Sequence, residues 1–332
     1  MPAADFNCFL VEKDSSGKVH RAITRRPLSD LPPGDVLIRV QYSSLNYKDA
    51  LAAEAHPGVV RKLPHVPGID AAGVVEESGS PLCKVGDEVL VTSYDLGAAQ
   101  WGGWGEYIRV PAAWVVPRPG SLTLRKTMIL GTAGFTAAQC VHAIQLNGVT
   151  PDAGEIVVTG ATGGVGCLAV MILKQLGYSV VAVTGKPELA PRLKTWGASR
   201  LISRQEVVDS SPKPLLSAKW AGAVDTVGGN TLASILRSTK EYGVVSACGL
   251  VGGTDLPLTV HPFILRGVIF AGISSQNLPA FRRNDIWQKL AGEWKPGHLE
   301  DVATEIGLEQ AEEYVQKILK GEVAGRTIIR IS

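Results

Sequence analysis

Along the first third of the chain, apolar and polar residues alternate in short runs, each closed by a turn signal. The runs "DVLIRVQYSSL", "AAGVVEES", "KVGDEVLVTSY", "WGEYIRV" and "AAWVVPRP" are punctuated by Pro32-Pro33-Gly34, Pro67-Gly68 and Gly86-Asp87. That spacing predicts a compact β domain over residues 1–125. From about residue 126 the period changes. "TMILGTAGFTAAQCVHAIQL" has helical spacing, and strand-like runs ("EIVVTG", "YSVVAVTG", "ASRLISR", "GAVDTVGG", "GVVSACGL", "GVIFAGISS") then alternate with helical ones. The alternation predicts a parallel sheet covered by helices on both faces over residues 126–276, an α/β arrangement. Beyond 277 two helical patterns precede a strand, "GRTIIRIS", that is expected to return to the first domain, giving 1–125 plus 277–332 as one unit.

"VVTGATGGVG" (157–166) is the stretch whose composition demands an explanation. A β-branched strand ends in Gly160, and Gly163, Gly164 and Gly166, with Thr162 and Val165 between them, open an apolar helix. This permits a tight turn and lets a pyrophosphate meet backbone amides at the helix start. The strand before, the helix after and the βαβ continuation are the context that the dinucleotide motif requires. NAD-binding versions carry an acid at the end of the second strand for the ribose hydroxyls. Here Thr184, Gly185 and Lys186 stand there, and Arg204 follows the adjacent third strand, so a 2′-phosphate meets cations where an acid would repel it. The cofactor expected is NADPH.

Length and composition widen the picture without redirecting it. At 332 residues and 45% hydrophobic, two cores can be filled. With 33 basic against 31 acidic side chains, no field argues for nucleic acid or an anionic membrane. Cys8, Cys83, Cys140, Cys167 and Cys248 are odd in number and scattered, which suggests neither a disulfide framework nor a zinc knuckle. No long apolar run or leader is apparent, and a cytoplasmic protein is expected.

The glycine pattern also fits short-chain dehydrogenases, but no tyrosine here has lysine four residues later, and the motif comes late. A β domain ahead of a late Rossmann unit instead resembles the medium-chain dehydrogenase/reductase superfamily. "LNYKDAL", "PHVPGIDAAGVV", "KVGDEV", "GGWGEY", "LGTAGFTAA", "VTGATGGVG" and "GRTIIRI" look like its zinc-free quinone oxidoreductase group, and more narrowly the acryloyl-CoA reductase branch. The resemblance spans essentially the whole chain. It implies a GroES-like N-terminal domain plus a Rossmann domain, NADPH-dependent reduction of 2-enoyl thioesters, and a homodimer. Zinc-containing relatives need converging thiolate and imidazole ligands; here Tyr47, Lys48 and Asp49 stand where the first ligand is expected, and His65 has no ligand partners, so no metal is expected.

The resemblance further implies nicotinamide-side contacts from Thr132, Leu250, Ile264 and Ser274 or Ser275; Arg326 reads either as reaching the site or as a strand-flanking charge. In the expected reaction hydride attacks the β-carbon of an activated alkene, negative charge moves to the carbonyl oxygen, and the α-carbon takes a proton. Tyr47 is the expected acid and nicotinamide-facing wall. Asp49 is expected to position its neighbours or to cap the helix "DALAAEA". For a CoA substrate Arg61, Lys62, Arg282 and Arg283 are the candidate phosphate cations, with Trp287 for stacking. Reduction of free quinones or 2-alkenals is the enzymatic alternative, and a silent NADPH-binding protein the non-enzymatic one.

Overall fold

In the computed structural model, which describes residues 5–332, the alternating runs of the N-terminal third become one mixed sheet. Its spatial order is Ala303–Gly307, Arg326–Arg330, Val36–Leu45, Asp70–Ser78, Glu88–Thr92 and Val116–Pro117, with Tyr107–Val110 also paired to Val36–Leu45. Alternation does the sorting of faces. Val36, Ile38 and Val40 pack into one core with Val89, Val91 and Ile108, whereas Leu37 and Leu45 pack into another with Phe6, Phe9, Trp104 and Ile329. The last strand of the chain lies antiparallel beside Val36–Leu45, Thr327 opposite Leu45.

A second unit carries six parallel strands in the spatial order Arg200–Ser203, Val180–Thr184, Ile156–Val158, Trp220–Asp225, Thr239–Ala247, Ile269–Gly272. Numbered within the unit this is 3-2-1-4-5-6, the Rossmann order. The inner strands are almost wholly apolar because both faces are covered, and Val157, Val181, Val183, Ala223 and Val245 share one core. The α/β class and the pairing of a GroES-like with a Rossmann domain hold.

Three features depart from the sequence reading. The strand Ala303–Gly307 was not expected: only Ile306 in it is fully buried, so it shows no alternation to read. "AAWVVPRP" opens as a 3-10 turn, Ala112–Trp114, followed by a two-residue strand, Val116–Pro117, because prolines punctuate the segment. The division between units falls later than 126. The first unit runs up to Thr132 and takes in Ser275–Ala291 and Leu299–Ser332, and the second is Ala133–Ser274 with Gly292–His298. The helical stretch Leu124–Leu146 is broken at Gly131 (φ 52°, ψ −157°), so the chain turns inside a pattern that reads as one helix. This stretch is long and apolar enough to cross a membrane, but 83% of its apolar window is buried, as in a core helix. The opening residues 1–4, part of the stretch read for a leader, lie outside the described residues.

Candidate active site

The second unit builds its site mainly from backbone. The strand Ile156–Val158 runs out at Thr159 and Gly160, and Gly163 caps the helix Gly164–Gln175. The Gly163 amide donates to the Gly160 carbonyl at 2.8 Å and closes the turn. A Cβ on Gly166 would stand 2.2 Å from that same carbonyl oxygen, so only glycine lets the helix begin this close to the strand. Thr162 is buried in the loop, Gly164 and Val165 are half-buried, and their amides lie in the first turn, where a helix has no acceptors of its own. Such a cradle fits a diphosphate.

Beneath the loop lies an acid that sequence reasoning passed over. Asp225 is fully buried, accepts from Thr159 Oγ1 at 2.7 Å and from the Gly228 amide at 2.7 Å, and its carboxyl is raised by burial. It ties the ends of two adjacent strands together. At the far end Thr184 is in register with Ser203, so the second and third strands finish side by side. Thr184 Oγ1 accepts from the Lys186 amide at 2.9 Å. The Arg204 guanidinium lies over Gly185, so near that a Cβ there would meet Cζ at 2.8 Å. Arg204 is exposed and in no ion pair with any described residue, while Ser203 caps the short helix it opens. Thr184, Gly185 and the Lys186 amide thus lie together at this strand end with Arg204 over Gly185. Leu250 and Ser274 line a mostly apolar cavity of about 380 Å³ with Leu232, Leu256 and Phe270, whereas Ile264 is exposed outside it.

The first unit holds a network of buried side chains instead. Asp70 is fully buried and accepts from Ser44 Oγ (2.6 Å), Asn46 Nδ2 (2.9 Å), Thr132 Oγ1 (2.6 Å) and the Thr132 amide (2.9 Å). Arg326, 2% exposed, brings its Nη2 to 4.0 Å of Asp70, donates to Asn46 Oδ1 at 3.1 Å and sends Nε to the Ile129 carbonyl at 2.8 Å. A Cβ on Gly131 would fall 2.5 Å from Asp70 Oδ2, which is why the break in the helical stretch occurs at a glycine. Asn46 also donates to Asp49 at 3.1 Å, so one amide joins two carboxylates and a guanidinium. Asp49 further accepts from the Asn46, Ile69 and Gly68 amides at 2.8, 2.7 and 3.2 Å. Burial first, and then the charge of Asp70, push its carboxyl up to about 7 against the pull of these donors.

The short helix Tyr47–Ala53 begins from this network. Asn46 is its N-cap and Asp49 its third residue, reaching back to the Asn46 amide. Tyr47 is 48% exposed and its hydroxyl has no hydrogen-bond partner among the described residues. The hydroxyl is therefore left open to solvent at the start of this helix.

Several expectations are corrected. Asp49, expected to position its neighbours or to cap the helix, is enclosed by donors, and the N-cap is Asn46. Arg283 is no free phosphate cation: it is 1% exposed, donates to the Thr92 and Ser275 carbonyls at 3.0 and 2.9 Å, and lies 4.1 Å from the Tyr94 ring. Trp287 is buried and not available for stacking. Arg326 is no strand-flanking charge; it is sealed inside the Asp70 network. Ser275 meets Ser93 Oγ at 3.5 Å, and Ser93 Oγ is 2.9 Å from Thr132 Oγ1. Arg61, Lys62 and Arg282 are exposed.

The alcohol dehydrogenase GroES-like domain model matches residues 32–120, and the zinc-binding dehydrogenase model matches 164–291. The chain is 44% identical over 328 residues to the acrylyl-CoA reductase AcuI of Ruegeria pomeroyi, covering 98% of this chain and 99% of that protein. It is 47% identical over 303 residues to the putative quinone oxidoreductase YhfP of Bacillus subtilis, covering 91% and 92%; a crystal structure of yhfP with NAD bound matches with a TM-score of 0.96, at 44% identity and 99% and 100% coverage. The yhdH oxidoreductase of Salmonella enterica in complex with NADP matches with a TM-score of 0.95, at 44% identity and 98% and 100% coverage.

The chain belongs to the zinc-free group of medium-chain dehydrogenase/reductases. The family model's description mentions zinc, and the residues of this medium-chain reductase do not fit it. Among the described residues no three His, Cys, Asp or Glu side chains are grouped to hold a metal. His65 is buried, bonded through Nε2 to the Gly97 carbonyl at 3.1 Å, and held neutral by burial, its pKa lowered to about 4. Cys8, Cys83, Cys140 and Cys167 are buried, and Cys248 is half-buried; none of the five is in a disulfide. Sequence reasoning missed Asn46, Asp70, Ser44 and Ser93 in this reductase. The signal for Asp70 was present: an acid inside "PGIDAAGVV" is buried by its neighbours and must find partners.

Proposed function

We propose that this protein is a zinc-independent, NADPH-dependent reductase of conjugated C=C bonds, with acryloyl-type CoA thioesters as its substrate class. The observation that carries it is the Arg204 guanidinium lying over Gly185, beside Thr184 and the Lys186 amide, at the end of the second Rossmann strand, where an acid would repel a 2′-phosphate. The cradle at Gly160–Gly166 holds the diphosphate, and Lys186 and Arg204 hold the 2′-phosphate. When bound, NADPH supplies the hydride for the β-carbon. Asn46 and Asp49 fix the start of the helix from which Tyr47 presents its hydroxyl, and Tyr47 walls the nicotinamide side and gives the α-carbon its proton. Leu250 and Ser274, which line the apolar cavity of the second unit, are its nicotinamide-side contacts, and Thr132, held toward Asp70, and Ser275 are those of the first. Arg61, Lys62 and Arg282 meet the nucleotide phosphates of CoA.

Reduction of free quinones or alkenals is the second reading, favoured by the likeness to YhfP. Parallel NADPH-oxidation assays with acryloyl-CoA, a naphthoquinone and a 2-alkenal separate the two. A kcat/KM for acryloyl-CoA at least tenfold above the others supports the thioester reading; the reverse order overturns it, and no NADPH oxidation with any of them leaves only the silent binding protein. The same reading places the enzyme in the cytoplasm and pairs two copies. Ile269–Gly272 is an edge strand with Ile269 and Phe270 exposed, a surface that strand-to-strand pairing of identical chains would cover. Light scattering at micromolar concentration tests the pairing.

A further inference from the structure

The segment "NYKD" contributes a cation that none of the roles above uses. Lys48 follows Tyr47 in the same helix and is half-buried. Its ammonium donates to Gln276 Oε1 at 3.2 Å, and no carboxylate among the described residues forms an ion pair with it. Gln276 is itself held at both ends. Its Nε2 donates to Asp95 Oδ1 at 3.3 Å, and its backbone carbonyl accepts from Arg283 Nη2 at 3.3 Å. Only one orientation of that amide serves Asp95 as acceptor and Lys48 as donor at once. The lysine is thereby positioned by a neutral oxygen, with further N–H donors to spare. The buried Arg283 explains why the device is rigid: by gripping the Thr92, Ser275 and Gln276 carbonyls it ties the 275–276 segment to the end of the strand Glu88–Thr92.

A fixed, half-desolvated and unneutralised cation stabilises negative charge that appears during a reaction, because its orientation has been settled beforehand. We infer that the Lys48 ammonium, set by Gln276 and Asp95, holds the carbonyl oxygen of the conjugated acceptor as it becomes an enolate. This deepens the reductase reading and rests on it. The hydride's electron pair forms the new C–H bond at the β-carbon, the alkene π pair shifts to the α-carbon and oxygen, and the oxygen's charge is met by Lys48 until the α-carbon is protonated. Lys48 donates a hydrogen bond and gives up no proton.

The test uses the full chain and whichever conjugated substrate the wild type turns over, as the CoA ester and as the N-acetylcysteamine thioester, which lacks the phosphates. Lys48→Met is expected to lower kcat about 100-fold on both thioesters, to raise the primary isotope effect from deuterated NADPH, and to leave NADPH affinity by fluorescence titration and the thermal midpoint unchanged. Lys48→Arg should recover part of the rate, and Gln276→Leu should lose about tenfold in kcat with KM little changed. Wild-type turnover in Lys48→Met overturns the inference and leaves the reductase reading standing. A loss confined to the CoA ester also overturns it, placing Lys48 on phosphate, as does a loss tracking the thermal midpoint. A wild type inactive on every conjugated carbonyl overturns the reductase reading itself, and the inference with it.

Discussion

The two units hold their sites by different means. At Gly160–Gly166 the groups offered to a ligand are main-chain amides, and side chains matter chiefly by their absence: the Gly166 position has no room for a Cβ. At Asp70 the partners are mainly side chains, drawn from Ser44 and Asn46, Thr132 and Arg326, three stretches far apart in the sequence. The first kind of site is local and can be read from a string of ten letters. The second exists only when several strand ends converge, and removing one member leaves the others buried without compensation.

That contrast can be broken most sharply at Asp70. Asp70→Ala leaves Arg326 charged and buried with its acid gone, and a destabilisation of about 3–5 kcal/mol is expected; urea denaturation measures it, and a loss under 1 kcal/mol would mean the network is dispensable. In the other unit Arg204→Ser should spare stability and cost NADPH about 1.5–3 kcal/mol of binding, roughly 10- to 100-fold in Kd, with NADH unchanged. Titration with both nucleotides checks this, and equal losses for the two would remove Arg204 from the 2′-phosphate.

Two buried titratable groups of the first unit sharpen the comparison further, because they slope in opposite directions. His65, lowered to about 4, contributes stability present above its unfolded value of 6.5 and lost as pH falls through 4. Asp49, raised to about 7 from 3.8, contributes stability present below its unfolded value and lost as pH rises through 7. Between pH 4 and 7 the two offset each other. His65→Gln should therefore become relatively more stable toward pH 4, and Asp49→Asn more stable toward pH 7, in melts across that range. Parallel profiles for both variants would contradict the assignment. The smallest effect is expected at Tyr47→Phe, where the half-exposed ring should change stability by less than about 0.5 kcal/mol while kcat falls; unchanged turnover would take the acid role from Tyr47.

Much of this molecule was legible beforehand. The change of hydrophobic period separated a β region from an alternating α/β one, and "VVTGATGGVG" with the missing acid at 184–186 marked the glycine turn and the basic end of the second parallel strand. These are properties of adjacent residues, where backbone sterics and local charge act over a few ångströms. Less was legible for Arg283 and Arg326. In sequence both are charges beside polar neighbours and read as solvated; in the structure both are sealed, one against Tyr94 and main-chain carbonyls, the other behind Asp70. Ala303–Gly307 escaped for a related reason, since only one of its residues is wholly buried.

By itself, then, the sequence determined the two architectures, the glycine turn and the cations that end the second and third strands, because each follows from periodicity or from chain-neighbour geometry. Tertiary structure alone decided which charges are spent on holding the protein together and which are left to meet a ligand. That choice depends on which strand ends converge, and a buried charge finds its partners across the fold, not along the chain.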